Sequence, residues 1–156
     1  MLLGTHLLRL IADDGEVRTF DDTSATVSSP FSDWQALHFG PDVVDPLIAG
    51  PRADPDFDGL ENLAEYVLLS DPLNAGTLAT PVSSRTATAL SMTWRESVAA
   101  TDVSILPQWS DDLAAWSSSG LVVETLAIGE GWRERRATLD ITTRPRAALR
   151  LTVTLP

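Results

Sequence analysis

The chain of 156 residues contains no cysteine. That removes disulfides, thiol nucleophiles and zinc–thiolate sites together. Lysine is missing as well. All 11 basic residues are arginine, set against 22 Asp and Glu, for a formal net charge of −11. A field of that sign repels nucleic acid and anionic membrane and attracts divalent cations. Salt adaptation or a GC-rich genome would favour the same composition. Histidine is scarce: His6 and His38 are remote from one another in sequence, and a helix-face histidine without a neighbour of its kind reads as structural. There is no phosphate-cradling glycine motif, no H-E-x-x-H and no G-x-S-x-G, so catalysis is not expected. No apolar run is long enough to span a bilayer. Residues 1–12 are interrupted by His6 and Arg9 and lack a basic start and a small-residue cleavage site, so they do not read as a signal peptide.

Among what is present, the run Asp54-Pro55-Asp56-Phe57-Asp58-Gly59-Leu60-Glu61-Asn62-Leu63-Ala64-Glu65 stands out. It fits a twelve-residue EF-hand calcium loop. Asp54, Asp56 and Asp58 fall at positions one, three and five, and Gly59 at six, where the chain turns sharply. Leu60 at seven offers a backbone carbonyl, Asn62 at nine a side chain or a bridging water, and Glu65 at twelve two oxygens. Hard oxygen donors converging on one point suit Ca²⁺. From Asp42 to Asp71 the acids Asp42, Asp45, Asp54, Asp56, Asp58, Glu61, Glu65 and Asp71 face Arg52 alone, so their repulsion should destabilise a metal-free form. Asp71 either joins the metal site or caps a turn before Pro72.

After the loop, Leu60, Leu63, Ala64, Val67 and Leu68 recur at helical spacing, and Ser70-Asp71-Pro72 ends the helix. Before it, Asp45 to Arg52 holds two prolines and a glycine and cannot form a regular incoming helix. A loop with only an exiting helix resembles dockerin and thrombospondin type 3 repeats. The phrase from Ala53 to Leu60, followed by Asn62-Leu63, Glu65-Tyr66 and Ser70-Asp71-Pro72, is similar to a pattern of large secreted bacterial proteins. Phe57 departs from the usual glycine, which predicts a stiffer loop. Dockerins carry two such loops and this sequence shows one, which weakens a cohesin-type docking role.

Upstream, Leu7 to Ile11 reads as a strand, Asp13-Asp14-Gly15-Glu16 as a turn, and Val17–Phe20 with Ala25–Ser28 as a weakly alternating return. Residues 4–27 resemble the last two strands of a PKD-type or related Ig-like domain; an ordinary hairpin native to this domain is the other reading. An isolated hairpin is marginal in water, so it must pack on the rest of the chain or be poorly ordered. A short helix follows. Ser32 and Gln35 form a capping box, Phe31 and Ala36 a weak staple, and Gly40-Pro41 stops it. Trp34, Leu37, Leu63 and Val67 are expected to share a small core.

Asn74 to Ser84 reads as a linker. The period then changes to two, giving about five strands: around Leu90–Trp94, Val103–Trp109, Leu121–Ile128, Ala137–Ile141 and Leu149–Leu155. Leu121–Ile128 is apolar on both faces, as a central strand would be, and Pro107 predicts an edge or bulge. Ser104 to Trp116 and Ala148 to Pro156 resemble the closing strands that often follow such a calcium loop in bacterial secreted proteins. Five tryptophans keep polysaccharide stacking open, with Trp132 the best exposed ring.

The expected fold is mainly β: a β-hairpin over 1–28, a two-helix segment around the calcium loop over 29–76, and a small antiparallel β-sandwich over 77–156. The expected role, which the resemblance implies, is a monomeric, non-catalytic Ca²⁺-binding module of an extracellular or cell-surface protein. A dockerin-like interaction module and a carbohydrate-binding sandwich are the alternatives.

Overall fold

A computed structural model describes residues 4–77 and 79–156. Residues 1–3 of the expected hairpin segment and Leu78 in the expected linker lie outside the described residues. The chain is mainly β, with an N-terminal hairpin, two α-helices and C-terminal antiparallel sheets.

Strands β1 (Gly4–Asp13) and β2 (Arg18–Val27) pair without interruption from Gly4↔Val27 to Asp13↔Arg18. The acidic turn closes on its own side chains. Asp13 Oδ1 accepts from Gly15 N at 3.0 Å and Asp14 Oδ1 from Val17 N at 2.7 Å, while Gly15 takes φ +90°. The weakly alternating return is one continuous strand, its ladder running through the polar Asp21–Ser24 stretch. Instead of packing on the rest of the chain, the ribbon stays exposed, Leu10 and Leu7 to about two thirds or more (73% and 67%). Its cohesion comes from across the ribbon: the Arg9 fork on Asp22 at 2.6 and 2.7 Å, and the same guanidinium 4.5 Å from the Phe20 ring centroid.

Helix α1 (Pro30–Phe39) starts one turn earlier than the expected Ser32–Gln35 box. Ser29 is the N-cap. Its Oγ accepts from Ser32 N at 3.1 Å, and Ser32 Oγ accepts from Ser29 N at 2.8 Å. Pro30 tips the choice, since its fixed φ suits the first helical position and it has no N–H to leave unpaired there. Phe31 is consequently inside the helix and buried, and Leu37 turns outward instead of joining the core. Gly40, at φ +52°, ends the helix, and a 3₁₀ turn over Gly40–Val44 follows. Residues 45–52 then turn without forming a helix. Helix α2 (Asn62–Leu68) leaves the acidic loop and closes on Leu69 in the left-handed region.

Strands β3 (Val82–Arg85), β4 (Ala89–Ser97), β7 (Trp132–Asp140) and β6 (Leu121–Gly129) form one sheet in the order β3-β4-β7-β6. Strands β5 (Ser104–Ser110) and β8 (Ala148–Thr154) form a second. The five expected strands are present, and β3 adds one within the stretch read as linker. Four residues of Val-Ser-Ser-Arg carry too little pattern to announce it. The expectation of a central strand at Leu121–Ile128 is corrected: β6 is an edge, bulged between Thr125 and Ala127, with Val122 and Ile128 exposed. An apolar run on both faces does not distinguish a buried strand from an uncovered edge. The main core draws on both halves of the chain. Phe31, Tyr66, Val67 and Leu68 from the helices cluster with Met92, Trp94 and Ala137 from the sheet, with Ile105, Leu149, Leu151 and Val153 of the second sheet packed against them. The helical segment is thereby fixed to the sandwich, and the acidic loop with it.

Candidate metal centre

The acidic loop is built from its own side chains upward. Asp54 Oδ2 accepts from Gly59 N at 3.1 Å, Asp56 Oδ1 from Asp58 N at 3.2 Å, and Asp58 Oδ1 from Leu60 N at 2.8 Å. Each aspartate thus spends one oxygen on folding the loop. The remaining ones, Asp54 Oδ1, Asp56 Oδ2 and Asp58 Oδ2, are buried without a hydrogen-bond partner. A carboxylate oxygen from each of the three lies within 4.8 Å of the others. Gly59 takes φ +94°, as the sharp turn requires, and Phe57 takes φ +60° with its ring in solvent.

Helix α2 is tied to the residues just before the loop by two backbone bonds, Asn62 N to Ala53 O at 2.8 Å and Leu63 N to Pro51 O at 3.0 Å. It brings two further groups to the region, Asn62 and Glu65, both fully buried. Asn62 Nδ2 donates to Ile48 O at 2.8 Å and Gly50 O at 2.9 Å, while its Oδ1 has no partner. Neither oxygen of Glu65 has one. Burial first, and then the charges of Asp56, Asp58, Asp54 and Asp71, push the Glu65 carboxyl up to about 7. Six oxygen atoms of five residues therefore sit buried and unsatisfied around one loop. Desolvated oxygens without donors are costly unless a cation or protons compensate. The three aspartates could hold a metal ion, and hard oxygen donors suit a hard cation.

Of the sequence-predicted residues, Asp54, Asp56 and Asp58 form the tight cluster, and Glu65 and Asn62 lie buried on the first turn of α2. Leu60 is half-buried, and its side chain packs on the main core. Asp71 stands outside the tight cluster. Its Oδ1 accepts from Leu73 N at 3.1 Å, a turn-capping bond, and lies 3.8 Å from His38 Nδ1.

Two arrangements carried no signal in the sequence pattern. Asp102, in the turn between β4 and β5, accepts from Phe31 N at 2.8 Å and from the Tyr66 hydroxyl at 2.9 Å, tying both helices to the sandwich. Burial and this bond raise the Tyr66 pKa and hold the phenol neutral. Glu96, buried on β4, accepts from Trp94 Nε1 and Arg133 Nε, each at 2.6 Å, with Arg135 3.5 Å away. Trp94 and Glu96 share one face of β4, but the arginines arrive through sheet register and Asp102 through chain crossing, which local spacing does not encode.

The tryptophans offer little to a sugar. Trp132 is half-buried, lies close against Gly129 and carries Arg95 at 4.3 Å from a ring centroid. Arg144 and Arg150 cover Trp109 and Trp116 in the same way, at 4.7 and 4.2 Å. No helix among the described residues is long and apolar enough to cross a membrane. The sequence matches no known family model and no curated protein.

Proposed function

We propose that this chain is a non-catalytic Ca²⁺-binding module of a secreted or cell-surface protein, with a loop of the dockerin and thrombospondin type 3 kind. In this reading Asp54, Asp56, Asp58, Asn62, Glu65 and the Leu60 carbonyl hold one ion. The observation that carries it is the division of labour in the loop: one oxygen of each aspartate folds the backbone, and the other is left buried and unsatisfied. Loop acids that merely faced solvent would have no reason to be desolvated.

The ion would act as a staple. The loop closes on α2, α2 is part of the main core, and among the described residues no second loop pairs with it to open a groove. Extracellular calcium modules bind with dissociation constants of roughly 10⁻⁴–10⁻³ M. At ten times that constant, linkage adds about 1.4 kcal/mol, a rise of about 3–5 °C in the midpoint for a chain of this size. Thermal unfolding with calcium and with chelator, for the wild type and Glu65→Ala side by side, tests the reading. The wild type should show the rise and the variant should lose most of it. An equal calcium response in both would sink the assignment.

A further inference from the structure

An EF-hand loop is usually held between two helices, yet here the approach is residues 45–52, which form no helix. This segment is nevertheless tightly fixed. Ile48 N and Ala49 N donate to Asp45 O at 3.1 and 2.8 Å, and Gly50 N donates to Pro46 O at 3.2 Å. Ala49 and Gly50 are buried, and a Cβ on Gly50 would meet Pro46 O at 2.2 Å, so only glycine fits there. Two side-chain amides grip the segment. Asn62, on the first turn of α2, donates through Nδ2 to Ile48 O and Gly50 O. Gln35, in the middle of α1, donates through Nε2 to the carbonyl between them, that of Ala49.

We infer that Asn62 is a positioning residue that couples metal occupancy of the loop to α1, through the segment Ile48-Ala49-Gly50 and the Gln35 amide. This rests on the calcium reading above. The carboxamide of Asn62 is rigid and planar, so its two ends move together. Its nitrogen already holds the approach segment, and its oxygen is buried with no partner. An ion, or a water on that ion, that engages Oδ1 fixes the nitrogen as well and tightens both bonds to the segment. Ala49 passes the restraint to Gln35.

Other contacts bypass this path: Tyr66 and Phe31 N share Asp102, Trp34 packs against Tyr66 and Phe39, and His38 Nδ1 stands 3.8 Å from Asp71 Oδ1. None of them passes through Gln35, so removing that amide isolates the path at the end of α1, where the reporters are the amides of Phe39 and of Gly40, which donates to Ala36 O.

Amide hydrogen exchange by NMR on the full chain, with calcium at about ten times its dissociation constant and with chelator, tests the coupling. In the wild type, Ile48, Ala49, Gly50, Phe39 and Gly40 should each gain about tenfold in protection on adding calcium. Gln35→Ala touches no loop residue. It should bind calcium as the wild type does and keep the gain at residues 48–50 while losing it at Phe39 and Gly40. Asn62→Asp keeps an oxygen for the ion and loses the N–H donors. Compared at a calcium level that saturates it by calorimetry, whatever its affinity, it should show the gain at neither place. A merely structural amide would lower protection equally with and without metal, leaving the calcium-dependent gain intact. Either variant, calcium-bound and with the full wild-type gain at Phe39 and Gly40, would overturn the coupling. Wild-type binding without a gain at residues 48–50 would overturn it too and leave the calcium reading standing. No heat of binding in the wild type would strike the calcium reading itself, and the coupling with it. Gln35→Ala decides the matter alone if Asn62→Asp does not fold.

Discussion

Glu65 and Glu96 are both withdrawn from water, at 0% and 2% exposure, and in every other respect they are opposites. Glu96 lies on β4 with Trp94 Nε1 and Arg133 Nε on its two oxygens and Arg135 behind. The register of the sheet sets Glu96 across from Arg133 and Trp94 across from Arg135, so the counter-charges arrive with the fold. Glu65 lies on α2 with no donor on either oxygen and four aspartates whose charges oppose its ionisation. A buried carboxylate is therefore not in itself a sign of a site. The informative feature is whether the protein supplies the compensation. In the sandwich it does, and at the loop no described residue donates to either Glu65 oxygen.

The comparison breaks hardest at Glu96. Removing one partner of a buried charge network strands the others, at a cost of about 3–5 kcal/mol. Glu96→Ala should lose that much in denaturant unfolding, equally with calcium and with chelator, because the network is separate from the loop. A loss confined to the calcium-bound form would show the two regions to be one cooperative unit, contrary to the contrast drawn above.

At the loop the expected sign reverses. Glu65→Gln removes a charge that nothing in the chain neutralises, so the chelated variant should be at least as stable as the chelated wild type near neutral pH. Its gain on adding calcium should fall short of the wild type's by about the 1.4 kcal/mol of linkage. A pH series sharpens this. The carboxyl stands near 4.5 when unfolded and at about 7 in the metal-free fold. Between those values the folded state binds the proton more tightly than the unfolded one, so metal-free stability should fall as pH rises from about 4.5 to about 7. Glu65→Gln should flatten that limb. Calcium should oppose it, since the ion favours the ionised carboxylate. An identical limb in variant and wild type, followed by circular dichroism in chelator, would assign the pH dependence to other groups.

Much of this was legible in the sequence, for physical reasons that differ by element. The acidic loop reads clearly because its pattern is local: the aspartate spacing, the glycine turn and the following apolar period all fall between Asp54 and Leu68. The strands read through their period of two. Where reading failed, the deciding interaction lay elsewhere. Pro30 and Ser29 moved the start of α1 and sent Leu37 to solvent. Apolar β6 is an edge because β7 pairs with it on one side only, a fact of topology. The Glu96 network and the Asp102 tie join residues 37 and 71 positions apart, beyond the reach of any local pattern.

Phe57 gives the smallest and cleanest test of the loop half of the comparison. It holds φ +60°, a region that costs a residue with a Cβ roughly 1–2 kcal/mol. Its ring is 89% exposed, so packing returns almost nothing. Glycine would relieve the strain but lose more chain entropy on folding, about 0.5–1 kcal/mol. Phe57→Gly should therefore stabilise by less than about 1 kcal/mol, in chelator and in calcium alike, if the loop is equally formed in both. A larger gain in chelator would mean that the metal already offsets the strain in the bound state. A loss would mean that the phenyl ring has a partner in solution. Among these outcomes, only an equal small gain fits a loop whose backbone is folded by its own aspartates before any ion arrives.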